Sequence, residues 1–585
     1  MATRRTGLWL LTTLLLFFLA FTLFVWGVNR LVLGSTPTLG SGTVLSIRLQ
    51  GTIGEIAQQG PFVRPLTVRE IDEALRRAAE DERVVAVFLD IGPLAGGYGK
   101  IQEIRASLHR FRESGKPVLA LLELGGNLDL YLAAAADTVY QVPSGQLVLG
   151  MLMQQPFYRG LFDDLGVEFR AFTSGPYKTA MSSFTETEIS EAERQMDESL
   201  LESLYRQWID DVAADRELAA GAVEAAFDQG LLTAAQAHTA GLIDELGYRD
   251  QIDDALNELA DRAPRKVPVR EYLRAVQPAG LDGLFGQRNV VALIHVSGLM
   301  VPGDFSDSLF GADLAAGTTI ARYVREARED AAVKAIVLRV DSGGGAASAA
   351  DVMGREIELA AQRKPVVLSM SDVAASGGYW IAAKATRVFA NRATYTGSIG
   401  VVSGRISLQG TYEKLGINNA IIKRGENADL LADATRLRPE QEEILQRSVD
   451  QTYADFIDVV AAGRDMRPEA VHEVAQGRVW TGEQALDHGL IDDIGGLREA
   501  LVAARAEAGI GPQTRVTIRV YPPRRSLFEE ISRLFSTVAM ARAVLAAPAA
   551  WLPPRAAEAW QRLQLLRAAG TVWALTDAPL PVSAY

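Results

Sequence analysis

Two kinds of hydrophobic pattern alternate along the chain. Continuous apolar runs with β-branched residues, such as VLSIRLQGTI (44–53), VVAVFLD (84–90), VALIHVSGLM (291–300) and KAIVLRVD (334–341), read as strands buried on both faces. Between them lie stretches with apolar residues three and four apart, IDEALRRAAEDER (71–83) and ARYVREAREDAAV (321–333), which read as amphipathic helices. Strands alternating with helices predict an α/β fold with crossover connections.

The pattern is written twice. VLSIRLQGTI answers to VALIHVSGLM, VVAVFLDIGPLAGG (84–97) to VKAIVLRVDSGGG (333–345), and TAAQAHTAGLIDELG (233–247) to TGEQALDHGLIDDIG (481–495). A near-constant offset over three ordered pairs, far longer than any solenoid period, predicts two homologous domains. Their expected limits are 41–275 and 284–520. The charged, then Pro/Gly-punctuated stretch 262–283 is expected to connect them. From 521 to 585 the style changes to an amphipathic helical pattern broken by prolines, expected to pack on protein rather than on membrane.

Residues 1–40 form a fourth region. GLWLLTTLLLFFLAFTLFVWGV (7–28) carries no charge and is long enough, as a helix, to cross the hydrocarbon layer of a bilayer. A cleaved secretory signal would have a shorter apolar core and a small-x-small cleavage site, so a retained transmembrane anchor is expected. Arg4 and Arg5 before the segment, against Arg30 alone close behind it, place the short N-terminal tip in the cytoplasm and the body on the far side. The net charge of −13 disfavours a general grip on phosphate backbones, which excludes nucleic acid as an expected partner. There is no cysteine, so thiolate chemistry, disulfides and cysteine metal sites are excluded.

The stretch SDVAASGGYW (371–380) sets Ser376 where small residues give way to two glycines and then aromatics. A nucleophilic serine needs a base in reach and donors for the developing oxyanion. None of the five histidines, His109, His238, His295, His472 and His488, has a context that marks a base, and each is expected to be structural. Lysine is the alternative, because burial favours the neutral amine, and Ser-Lys pairs are a known variant of triad logic.

GGG in VDSGGGAASAADV (340–352), the ASGGYW stretch, TGSIGVVSG (396–404) and SGPYKTAMSSFTETE (174–188) together resemble the signal peptide peptidase A family in its long, two-repeat form. The likeness runs over residues 44–510 in order, with the N-terminal anchor in place. That resemblance implies the ClpP/crotonase superfamily fold, a spiral of ββα units repeated in tandem. It implies a Ser-Lys dyad peptidase that degrades cleaved signal peptides and other short apolar peptides, on the periplasmic side of the bacterial inner membrane, as a homotetramer without cofactor or metal. Carried over by motif, the nucleophile is Ser376, the general base Lys178, the oxyanion donors the amides of Gly344 and Gly377, and Ser398 orients the amine.

The repeat provides an internal check on this assignment. An offset of 249 sets Asn127 opposite Ser376 and Ala95 opposite Gly344, while Asn427 or Ala428 falls opposite Lys178. Each half has lost what the other keeps, which favours one composite site. The chain departs from the family at its Ser-Pro-Gly-Gly string, where it has Ser342, Gly343, Gly344 and Gly345; without proline's fixed φ the loop is freer. Rival expectations are an acyl-CoA enzyme of the crotonase branch and a non-catalytic membrane scaffold of the same fold.

Overall fold

The computed structural model describes residues 39–56, 65–260, 264–276, 289–304 and 314–523, and the backbone of 573–575. The apolar stretch 7–28, and the tail beyond 523 apart from that short strand, lie outside the described residues. Among the described residues no helix is long and apolar enough to cross a membrane.

The apolar runs become parallel strands. In the first half the sheet order is Glu245–Leu246, Thr138–Gln141, Val118–Leu122, Val84–Ala95, Thr43–Thr52, Arg265–Pro268. In the second it is Asp493–Ile494, Arg387–Ala390, Val366–Ala375, Val333–Ser342, Val290–Ser297, Thr517–Tyr521. Position by position the two orders are the same, and every pair in them is parallel. Each half adds an antiparallel pair, Gln146–Val148 with Leu231–Thr233 and Tyr395–Gly397 with Val479–Thr481. The expected α/β fold is therefore present twice.

Helices cover both faces, so the central strands are buried throughout, as Val290–Val296 shows. Local chemistry sets the helix ends. Thr67 closes a capping box with Glu70 on the helix Val68–Glu80, Ser190 caps Glu191–Asp215, and Pro439 opens Pro439–Arg464. The stretch read as a connector is more ordered than its composition suggests: Arg265–Pro268 extends the first sheet beside Thr43–Thr52, and Val269–Val276 is a helix. Proline is tolerated there because the strand lies at the sheet edge.

Charge joins the two halves. Arg339, fully buried in the second half, donates twice to Glu55 at 2.9 Å and meets Glu103 at 2.7 Å, both acids coming from the first half. Burial acts to raise the Glu55 carboxyl, but Arg339 outweighs it and holds the group at about 2. Glu103 is raised by burial and by Glu55, against the pull of the same guanidinium, and it accepts from Asn391 Nδ2 and the Leu497 N–H. Removing the cation leaves two buried carboxylates unpaired. Arg339→Met is expected to lower stability by about 3–5 kcal/mol, read from urea unfolding, because breaking a buried pair costs far more than forming it gains.

Candidate active site

Ser376 stands at a sharp turn from strand to helix. The buried strand Val366–Ala375 ends at it, the residue adopts φ 54° and ψ −116°, and the helix Gly377–Ala382 begins. A positive φ at a residue with a Cβ is a strained arrangement that its surroundings must hold. They do so through the Ser376 N–H, which donates to Gly397 O at 2.9 Å, and its carbonyl, which accepts from the Trp380 N–H at 2.8 Å. The two glycines that follow are required by close approach. A Cβ on Gly377 would lie 3.2 Å from Gly344 Cα, and one on Gly378 would lie 2.7 Å from Ser342 O. The start of the helix thus sits directly on the loop 342–344.

Lys178 arrives from the other half. The strand Glu168–Thr173 pairs antiparallel with Val402–Ser407 over six residues, from Val402 opposite Thr173 to Ser407 opposite Glu168. Beyond it the chain turns at Gly175, φ 93°, and wedges against Gln476–Gly477. Tyr177 N–H donates to Gln476 O at 3.1 Å, and a Cβ on Gly477 would lie 2.4 Å from the Lys178 nitrogen. Lys178 is 2% exposed and Ser376 and Ser398 are fully buried. From Lys178 Nζ, hydrogen bonds run to Ser376 Oγ at 3.1 Å, Ser398 Oγ at 2.8 Å and Ser398 O at 3.1 Å. Ser398 also has positive φ, 48°, and its N–H donates to Arg478 O.

Gly344 has φ 98°, open to glycine and costly for other residues. Its N–H donates to Ser342 Oγ at 3.1 Å, and Ser342 Oγ in turn donates to Gly298 O at 2.6 Å. The short strand Gly344–Ala346 is paired antiparallel by 573–575, which also pairs with Val402. A cleft of about 710 Å³ opens beside the lysine. Its apolar lining includes Phe162, Phe169, Met181 and Phe184, with Phe184 packed on both other phenylalanines, while Arg159 and Arg436 line it too.

All five residues expected at the site therefore fall together, three in direct hydrogen bonding and two as touching backbones. The counterparts in the repeats do not. Asn127 opens the helix Asn127–Ala133 and closes its amide on Gly150, donating to the carbonyl at 2.6 Å and accepting from the N–H at 3.1 Å. Asn427 accepts from Arg438. The histidines are engaged elsewhere: His109 beside Asp215, His472 with Tyr453, His488 on the Trp480 ring, His295 in its buried strand and His238 at a helix end. Sequence reasoning gave no role to Gly400, Gln476 and Gly477, which shape the lysine's seat; Gly400 lies in the TGSIGVVSG stretch, whereas Gln476 and Gly477 lie in no motif with a chemical signature.

A buried hydroxyl held on a strained turn beside a buried amine, next to glycine amides and an open cleft, is the equipment of a serine protease that works without histidine. The model of peptidase family S49 matches residues 110–263 and 358–511, once in each half, and the chain belongs to that family, as a serine peptidase of the signal peptide peptidase type. It is 37% identical over 505 residues to the chloroplastic serine protease SPPA of Arabidopsis thaliana, covering 85% of this chain and 74% of that one. To Protease 4 of Salmonella typhi it is 32% identical over 451 residues, covering 74% and 71%. To Protease 4 of Haemophilus influenzae it is 28% identical over 472 residues, covering 78% and 75%. Membership in a peptidase family disfavours the acyl-CoA and scaffold alternatives.

The wedge makes a prediction far from the reacting atoms. Gly477→Ala forces a methyl group into the Lys178 backbone and should lower kcat by about 100-fold, as expected for a displacement of about 1 Å, while circular dichroism stays native.

Proposed function

We propose that Ser376 and Lys178 form the catalytic dyad of this peptidase, with the amides of Gly344 and Gly377 as the oxyanion hole and Ser398 orienting the amine. The observation that carries the reading is the 3.1 Å contact between Lys178 Nζ and Ser376 Oγ, joining two buried side chains from opposite halves of the chain. A neutral amine has two N–H bonds and one lone pair. Directed at Ser398 Oγ and Ser398 O, the two donors leave the lone pair to accept from the Ser376 hydroxyl, which is the arrangement a general base needs.

The steps follow. Lys178 takes the proton as Ser376 Oγ attacks the peptide carbonyl, and the carbonyl oxygen becomes an oxyanion. The Gly344 N–H exchanges Ser342 Oγ for this oxygen, a rotation that glycine at 343 and 344 permits, and the Gly377 N–H joins it. Protonated Lys178 then gives its proton to the leaving amine, and the acyl-enzyme forms. Water deprotonated by the same amine attacks the acyl carbon, and Ser376 recovers its proton. The chemistry needs no metal or organic cofactor.

Substrates in this reading are short apolar peptides, residual signal peptides among them; within a cleft lined mainly by polar groups, the packed cluster of Phe162, Phe169 and Phe184 with Met181 offers an apolar side chain its seat. Gly344–Ala346 takes an antiparallel strand, 573–575, on one edge and Met300 on the other, so an extended peptide would take the place of 573–575 on that edge. Residues 7–28 anchor the chain in the bacterial inner membrane with the body on the periplasmic side, a placement supported by the uncharged stretch and the preceding Arg4 and Arg5. The body comprises tandem ClpP/crotonase-like domains at 41–275 and 284–520 after a tip and anchor at 1–40, with a tail at 521–585. It assembles as a homotetramer, which would screen out folded proteins by size.

Ser376→Ala and Lys178→Ala should each reduce peptide turnover by about 10⁴-fold or more, and the double variant should be no worse than either single, because members of one catalytic unit are non-additive. Ser398→Ala should cost about tenfold, since the backbone carbonyl of the same residue remains to hold the amine. Wild-type turnover in either dyad variant removes the assignment.

A further inference from the structure

The two loops that carry the reacting groups end neighbouring parallel strands, Val333–Ser342 and Val366–Ala375, and the pairing of those strands is irregular between Val340 and Ser342. At that irregularity each strand presents a carboxylate, Asp341 and Asp372. Unscreened, two acids there would push the strand ends apart. Lys100 of the first half reaches both, its Nζ 2.6 Å from Asp341 Oδ2 and 3.1 Å from Asp372 Oδ2. All three side chains are at most one-fifth exposed, so solvent screens them little.

The contact is locked at both ends. Asp372 accepts from the Gly97 and Lys100 N–H groups at 3.1 and 2.8 Å, capping the helix Tyr98–Arg112, whose N-cap Gly97 has no side chain to do so. Gly97 and Gly99 permit this seat, since a Cβ on either would strike Asp372 Cγ or Ser371 O within 3 Å. Asp341 Oδ1 accepts from the Val373 N–H, and Asp341 is followed directly by Ser342, the partner of the Gly344 N–H. Asp372 precedes the nucleophile by four residues. Glu55 and Arg339 add further charge beside this cluster, while burial holds the nearby His295 imidazole down at about 4, neutral near pH 7. Burial acts to lower the Lys100 ammonium, but Asp372, Asp341 and Glu55 outweigh it and hold the group well above its ordinary range. Burial raises Asp341 to about 6, with Lys100 pulling down and Asp372 and Glu55 pushing up.

We propose that Lys100 is a positioning residue for catalysis: by clamping Asp341 and Asp372 it sets the spacing between the oxyanion loop at Gly344 and the nucleophile at Ser376. This rests on the dyad and oxyanion reading above. Lys100 touches no reacting atom; it acts through two strand ends, and it makes the first half contribute to the oxyanion loop as well as to the base.

The test is steady-state cleavage of a chromogenic apolar peptide by the full chain, normalised to active sites titrated with a fluorophosphonate. Lys100→Met should lower kcat per titrated site by about 10–100-fold with KM changed less than about twofold, because the defect lies in transition-state geometry. Lys100→Arg should recover to within about threefold of wild type. Should Lys100→Met fold poorly, Lys100→Met with Asp341→Asn relieves the repulsion and should recover part of kcat. Unchanged kcat per site in Lys100→Met, or a rise in KM alone, overturns the proposal. Ser376→Ala run in parallel separates the two readings: if it keeps turnover, the dyad is wrong whatever Lys100 does, whereas a dead Ser376→Ala beside a normal Lys100→Met refutes only the clamp.

Discussion

The pairing of Glu168–Thr173 with Val402–Ser407 is the constraint on which the site depends. One strand belongs to the first half and precedes the lysine; the other belongs to the second and follows Ser398. Their antiparallel ladder fixes register, since a slip of one residue would turn each side chain to the opposite face. Register in turn delivers Nζ to the right depth, and the glycines at 400 and 477 clear the space it needs. A long, flexible side chain is a poor catalytic group until something removes its rotamer freedom, and here burial between two halves removes it.

The second shared element is ionic. A buried guanidinium answering two carboxylates and a buried ammonium answering two more lie along the same face of the second sheet, and in both sets acids and bases come from different halves. Such clusters contribute little net stability compared with apolar packing, but they punish misalignment heavily, because a displaced half leaves charge in a low-dielectric interior. They therefore specify how the halves meet more than how tightly.

Much of this was legible in the sequence, and for identifiable reasons. Continuous β-branched runs announce buried parallel strands, and the near-constant offset between copies announces the repeat. Ser376, Lys178, Ser398, Gly344 and Gly377 were singled out through ordered motifs and lie together in the fold, and Asn127 opposite Ser376, with Asn427 or Ala428 opposite Lys178, pointed to a composite site. Cross-half relations were not legible. Nothing in the pattern of 168–173 names 402–407 as its partner, because alternation encodes a face and not a neighbour. Lys100, Asp341 and Asp372 each look like ordinary solvated charges along the chain, and only folding sets them against one another. The run 265–276 was read as part of a connector at 262–283 because that stretch is charged and then punctuated by Pro and Gly, while an edge strand and a following helix accommodate its charges and Pro268.

The capping of Tyr98–Arg112 by Asp372 has an evolutionary consequence. Most tandem duplications leave modules that could be inherited separately. In this chain a helix in one module has surrendered its terminal residue's role to an acid in the other, so the earlier copy on its own would expose unmet amides at the helix entrance. Together with the bond from Lys178 in one module to Ser376 in the other, that makes the two copies interdependent: neither would keep its helix cap or its buried polar partner alone.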